Sequence, residues 1–274
     1  MHSDIHNLRV GYQKRGNFLP LLYPLEAGWV APESPWRVEV VNAPSGELLA
    51  RTLEGELDAA FLAPGAVAGH GGQLAALGGW GLACEGRVET AIVLAPQRLD
   101  LIHEGHVSIA PEAVGSTAEH TFRTLLAPYY GISLSLHLPD DPAYDPGGAR
   151  LLYGDDAARE VARKPSGWVA EDLGVSWFVF TGLPAVWEVF AAPRDLEARK
   201  PGAGQQLQEL LRLSQRTARE QEATVTQVAA DRLGLEPPAV KDLFSRQRFT
   251  LGDAEQKGLA RFLDQASRAR VIRL

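Results

Sequence analysis

The sequence predicts an α/β protein of two lobes, with a ligand cleft between them and a helical C-terminal segment. Three observations carry this. The chain opens on a short apolar strand, Leu8-Arg9-Val10-Gly11-Tyr12-Gln13, then a polar loop, Lys14-Arg15-Gly16-Asn17, then a helix that starts near Pro20. A helix over 46–53, a stop at Gly55 and a second apolar strand over 57–62 complete an α/β unit. From Gly202 onward the pattern turns helical, over 205–223, 224–233, 237–246 and 253–270.

Between these ends the elements follow in order. Residues 63–84 are rich in glycine and alanine, and helix and loop do not separate there. Residues 91–95 form a buried strand that Pro96 ends, and 107–110 form another. Ser116 and Glu119 fit a capping box for a helix to about residue 126, which Pro128 stops. Strands over 133–138 and 149–153, a helix over 157–163, a strand or loop over 168–173 and a strand over 186–191 follow. This order is that of the periplasmic-binding-protein-like (type II) fold. The strands at 91–95 and 186–191 are spaced as a two-strand hinge, so one lobe is 1–94 plus 190–274 and the other 95–189.

Composition narrows the partners. A chain of 274 residues fits two lobes. A net charge of −7 argues against a nucleic-acid partner, and it leaves any anionic ligand to be held by local donors. The single cysteine, Cys84, sits in apolar surroundings and reads as a small buried hydrophobe rather than a nucleophile. No apolar stretch of signal-peptide length precedes the first strand, and no window reaches the roughly 20 apolar residues of a membrane span, so a cytoplasmic location and no membrane partner are expected. His103 and His106 have no third ligand near, and neither a metal nor a cofactor is expected. Thr226 to Leu235 with Ala239-Val240 looks like a helix-turn-helix fragment, but without a basic recognition helix it reads as a packing pair.

Several residues are placed to carry chemistry. Asn17 lies in the loop at the carboxyl end of the first strand, where open α/β sheets bind ligands; a plain turn residue fits equally. Lys14 and Arg15 bring charge there or are simply solvated. Ser116 and Thr117 open a helix, either as an anion site or as ordinary capping. Thr90 precedes the crossing strand and can reach the cleft, and Arg87 can pair with an acid group. Asp155 binds a ligand hydroxyl or merely begins the next helix.

Together these segments resemble the chorismate dehydratase family of the futalosine route to menaquinone. The family's Asn-Thr-x-Pro-Leu loop is matched by Asn17-Phe18-Leu19-Pro20-Leu21, with Leu25-Glu26 after Tyr23. Its Leu-x-x-Gly-Glu-[IL]-Asp element matches Leu53 to Asp58, and its Ile-Gly-Asp segment matches Tyr153-Gly154-Asp155. Its Asp-Leu-Gly-x-x-Trp block ending in Thr-Gly-Leu-Pro is the most specific match, from Asp172 to Pro184. Thr250 to Phe262 resembles its closing helix. There are departures: Glu89 stands where many members have Arg, and would repel a dianionic substrate. Val114-Gly115-Ser116-Thr117-Ala118 replaces a Ser-Ser-Arg-Thr-Ser cluster.

The resemblance implies a cytoplasmic hydro-lyase that converts chorismate to 3-[(1-carboxyvinyl)oxy]benzoate and water without a cofactor. No His or Cys falls at a family-matched position, so the substrate's own enolpyruvyl carboxylate is expected to take the proton while Asn17 holds the leaving hydroxyl or that carboxylate. Thr90, Ser116, Thr117, Asp155 and Arg87 would bind the small carboxylate substrate. Two other readings stay open: a sibling enzyme like dihydroxynaphthoate synthase, and a solute-binding protein for a small anion, since the opening Leu8 to Lys14 also resembles sulfonate-binding proteins.

Overall fold

The computed structural model describes residues 6–102 and 105–273. Its strands form two sheets. The first contains β1 (His6–Tyr12), β2 (Trp36–Asn42), β3 (Ala59–Leu62), β4 (Leu74–Cys84), β10 (Ala185–Pro193) and β11 (Gln247–Thr250), in the order β11-β4-β10-β3-β1-β2. β1 runs parallel to β2 and β3, whereas β10 is antiparallel to both β3 and β4. The second contains β5 (Ala91–Ala95), β6 (His106–Ile109), β7 (Ser135–His137), β8 (Arg150–Tyr153) and β9 (Val169–Asp172), in the order β7-β6-β8-β5-β9.

In each sheet a strand antiparallel to its neighbours stands where the chain crosses over, β10 in the first and β5 in the second; β11, at the edge of the first, is also antiparallel to β4. β5 pairs along its length with β8 and β9, so it lies wholly in the second sheet, and β10 lies wholly in the first. The crossings fall at 85–90 and 182–184. The sequence reading put the lobe boundaries at 94/95 and 189/190, inside or beside these strands; full ladder pairing of both strands moves the crossings to the loops before them.

Helices cover the first sheet on both faces. The strand period of two sends Phe61 of β3 to one cluster and Ala60 and Leu62 to another. On Phe61's side stand α1 (Leu19–Glu26) and α8 (Ala203–Glu220), giving Leu21, Leu22, Leu207, Leu210 and Leu211. On the other side α2 (Ser45–Leu53) buries Leu48 against Leu57 and Leu74, and α3 (Pro64–Gly69) and α11 (Asp253–Arg268) pack near Val189. Each such buried side chain contributes about 1.5–3 kcal/mol. In the second lobe α4 (Thr117–Leu125), α5 (Asp155–Arg163) and α6 (Leu173–Thr181) surround β5 to β9. The short α7 (Leu196–Arg199) leads into α8.

The helix-turn-helix-like segment is α9 (Glu222–Leu233) and α10 (Pro237–Ser245). Its buried Val225, Ala229, Leu233, Val240 and Leu243 pack on Leu19 of α1 and Ala158 of α5, so this pair closes over both lobes. Among the described residues no helix is long and apolar enough to cross a membrane.

Three strands were not anticipated: β2, β4 and β11. β4 hides behind Gly78, Gly79 and Gly81, which read as loop. Gly81 serves close packing: a Cβ there would lie 2.4 Å from the carbonyl oxygen of Glu188. The register of β10 against β4 shifts between Val186 and Glu188, a bulge of the kind that re-aims a side chain.

Candidate functional site

The site forms where the loop after β1 meets the bulge of β10. β10 consists of nine buried residues, and Glu188 is the one acid among them. Arg15 crosses to it: Nη2 donates to Glu188 Oε1 at 2.6 Å, and both residues are buried. The guanidinium lies 4.3 Å from the centroid of the Tyr153 ring and 5.2 Å from that of Phe18, a cation–π sandwich. Tyr153, at the end of β8 in the second lobe, donates its hydroxyl to Glu188 Oε1 at 3.2 Å. Gly154 makes room for this: it has φ +76°, and a Cβ would meet Arg15 Cδ at 2.7 Å.

Burial pushes the Glu188 carboxyl above the ordinary carboxylate range, and Arg15 then Tyr153 pull it partly back. Burial also raises the Tyr153 phenol, which keeps it a donor at neutral pH. For Arg15, burial opposes the charge, but Tyr153 and Glu188 outweigh it and the guanidinium stays protonated. A fixed positive charge thus sits between the lobes of an acidic protein.

The pair leaves hydrogen-bonding capacity unused. Arg15 Nε and Nη1, Gln13 Oε1, Asn17 Oδ1 and Glu112 Oε1 are buried and have no partner among the described residues. Buried polar atoms are nearly always paired, so the three of these residues that share one cavity wall, Gln13, Arg15 and Glu112, mark a place suited to a polar ligand, while Asn17 is not part of that wall. A cavity of about 270 Å³ opens here, with Gln13, Arg15, Glu112, Tyr153, Asp155 and Arg232 in its wall.

The anticipated residues fall into this setting in different ways. Asn17 is buried in the single 3-10 turn Gly16–Phe18 that leads into α1. Thr90 is buried just before β5, and its carbonyl accepts from Gly154 N–H at 2.7 Å. Thr117, buried at the start of α4, donates its hydroxyl to the carbonyl of Trp187, next to Glu188. Ser116 caps α4, accepting from Glu119 N–H at 3.3 Å; Glu119 in turn accepts from Gly115 N–H at 2.7 Å and pairs with Arg123, so the capping box reaches one residue further back than expected. Asp155 accepts from Gly16 N–H at 2.7 Å and forms an ion pair with Arg232 of α9 at 2.7 Å. It ties the loop after β1 to the second lobe.

Arg87 does not join them. Its half-exposed side chain pairs with Glu89 at 2.5 Å, outside the cluster. Glu89 also pairs with Arg246 of the α10 cap. The expected repulsion of an anionic substrate by Glu89 is thereby corrected: two guanidinium groups neutralise it. Asp172, which opens the Asp-Leu-Gly match, is partly buried and accepts from the N–H groups of Val88, Glu89, Gly174 and Val175 at 3.0, 2.7, 2.9 and 3.1 Å. It caps α6 and clamps the first crossing at once.

Tyr153, Glu188 and Arg232 were missed as site residues, and of the two readings left open for Arg15 the buried, charge-bearing one holds. The available signal was Glu188, an acid inside an otherwise apolar strand. Of the two histidines weighed as metal ligands, His103 lies outside the described residues, and the His106 ring stacks on His137 with centroids 4.9 Å apart. Cys84 is buried, and its thiol is pushed up to about 12 by burial, against a hydrogen bond from Trp187 Nε1 at 3.2 Å.

Comparison with known proteins identifies the family and the fold. The model of the family described as menaquinone biosynthesis matches residues 8–268. Protein AF1704 from Archaeoglobus fulgidus superposes with a TM-score of 0.76 at 17% identity, over 99% of this chain and 100% of that one. The Candida albicans CA3427 gene product, described as having the periplasmic binding protein fold, gives 0.70 at 13% identity, over 98% and 92%. The periplasmic aliphatic sulphonate binding protein SsuA from Escherichia coli gives 0.65 at 15% identity, over 97% and 88%. At these identities the likeness is one of fold.

Proposed function

The chain belongs to the menaquinone biosynthesis family, and on that premise we propose that it is a chorismate dehydratase, forming 3-[(1-carboxyvinyl)oxy]benzoate and water in the cytoplasm. The observation that carries this reading is the buried Arg15 guanidinium, held by Glu188 and with two nitrogens unpaired among the described residues, two positions before the buried Asn17. A carboxylate of the substrate completes those donors. A planar guanidinium suits it because two parallel N–H groups fit two carboxylate oxygens. Because Arg15, Gly16 and Asp155 bridge the lobes, closure around the substrate and exclusion of water are the same event.

The reaction breaks a C–H bond at the ring carbon bearing the enolpyruvyl ether and the C–O bond at its neighbour. The C–H electron pair becomes the new ring double bond, and the released proton and hydroxyl leave as water. Aromatisation drives the step, so the protein has chiefly to position the groups. Glu188 accepts from both Arg15 and Tyr153 through Oε1, and these two partners pull down the proton affinity of its carboxylate, which makes it a poor base. The substrate's enolpyruvyl carboxylate therefore takes the proton, and Asn17 holds the departing hydroxyl or that carboxylate. Thr117, with the start of α4 behind it, and Thr90 border the other end of the substrate.

The test is to incubate the protein with chorismate and follow its conversion by chromatography, beside Asn17→Ala. Losing one positioned hydrogen bond of this kind costs about 10²–10³ in turnover. Turnover of Asn17→Ala within a few-fold of the parent removes Asn17 from the mechanism. No turnover by the parent, with calorimetric binding of an alkanesulfonate, would instead make this a binding protein.

A further inference from the structure

A second cavity, of about 240 Å³, lies among α1, α8, α9, α10 and β11, and every residue in its wall comes from these first-lobe elements. Pro20, Val225, Phe244 and Phe249 make an apolar body. Gln247 and Thr226 break it: they are 9% and 2% exposed, and Gln247 Nε2, Gln247 Oε1 and Thr226 Oγ1 have no partner among the described residues. A donor, an acceptor and a hydroxyl thus stand unpaired at one apolar pocket, where leaving them so is costly. The rim carries Arg219, which is exposed, and Lys241, which pairs with Glu222 at 3.3 Å. One positive charge is in excess there.

We propose that this cavity binds a flat hydroxyaryl carboxylic acid, at a site separate from the interlobe cleft. The ring fills the apolar body. The phenolic O–H donates to Gln247 Oε1, the adjacent carboxylate accepts from Gln247 Nε2 and Thr226 Oγ1, and Arg219 balances its charge. An apolar cavity of about 150 Å³ accepts benzene, so this larger one has room for a fused second ring.

The probe is 3-hydroxy-2-naphthoate, titrated calorimetrically into the full chain, into Gln247→Leu and Thr226→Val, and into Asn17→Ala. We expect binding to the parent, at least tenfold weaker binding to both pocket variants, and binding within twofold of the parent for Asn17→Ala. Gln247→Leu should also melt at a higher temperature than the parent without probe, because it removes two unpaired buried atoms; a purely structural glutamine would give the opposite shift. Thr226→Val keeps the side-chain shape, so it tests the site even if Gln247→Leu does not fold. Absence of heat with the parent, parental affinity in Thr226→Val, or loss of binding in Asn17→Ala alone would each overturn the proposal.

Discussion

Arg15 Nη2 stands 2.6 Å from Glu188 Oε1, and neither side chain is more than 6% exposed. Two such charges are expensive to bring out of water, and each is tolerable only because the other is there. Removing one partner of a buried pair costs about 3–5 kcal/mol, whereas replacing both with apolar residues is often neutral. Glu188→Ala should therefore lose about that much stability in urea unfolding. The double replacement Arg15→Met with Glu188→Leu should recover most of it while chorismate turnover stays lost. Parental turnover in the double variant would show that Arg15 does not hold the substrate.

Glu89 occupies the first crossing with φ +59°, a left-handed conformation unusual for a side chain with a Cβ. Arg87 and Arg246 take up its charge, and the Asp172 carboxylate holds its N–H. These contacts hold the loop between β4 and β5 in place. Glu89→Gln should shift the KM for chorismate by less than about threefold, since charge outside the site is screened within about 8 Å at physiological salt. A tenfold fall in KM would mean that the carboxylate does face the substrate.

The fold was legible because its central elements have clean patterns. The loop after β1, the capped start of α4 and the strand at β10 all stand where apolar periodicity puts them. β2 was missed because it is an edge strand with half its residues outward, and β4 because its glycines read as loop, of which Gly81 is there to admit the β10 bulge. The site was harder for a physical reason. Arg15 and Asp155 look like surface charges on any linear reading, and only the meeting of the two lobes buries one and pairs the other with Arg232. Local sequence does not contain that encounter.

His120 supplies a pH dependence. Burial lowers its pKa below the ordinary value, more than neighbouring Glu119 raises it, and Arg123 lowers it further. Its Nδ1 has no partner among the described residues and lies beside Gly65. A group with a depressed folded pKa binds a proton more readily when unfolded, so stability is full above about pH 6.5 and falls as the pH drops through the folded value. Urea midpoints should therefore decline between about pH 6.5 and the folded pKa of His120, and His120→Gln should flatten that part of the curve. An unchanged slope in the variant would assign the acid sensitivity to other groups.

Asp155 separates closure from chemistry. Its carboxylate accepts from Gly16 N–H and pairs with Arg232, so one side chain of the second lobe holds two segments of the first; Arg159 Nη2 adds a bond to the carbonyl of Arg232 at 3.1 Å. If this contact sets the closed fraction, removing it lowers apparent affinity in proportion to that fraction. A hydrogen bond to a charged group is worth about 1.5–3 kcal/mol, so Asp155→Ala should raise the chorismate KM by roughly 10- to 100-fold. Once the substrate closes the lobes, kcat should stay within a few-fold of the parent, and small-angle scattering of the free variant should show a larger radius of gyration. Were Asp155 instead to hold a substrate hydroxyl in the transition state, kcat would fall by about 10²–10³, while the scattering curve of the free protein would not change. The two readouts move oppositely under the two roles, and the bonds already made to Gly16 and Arg232 favour the first.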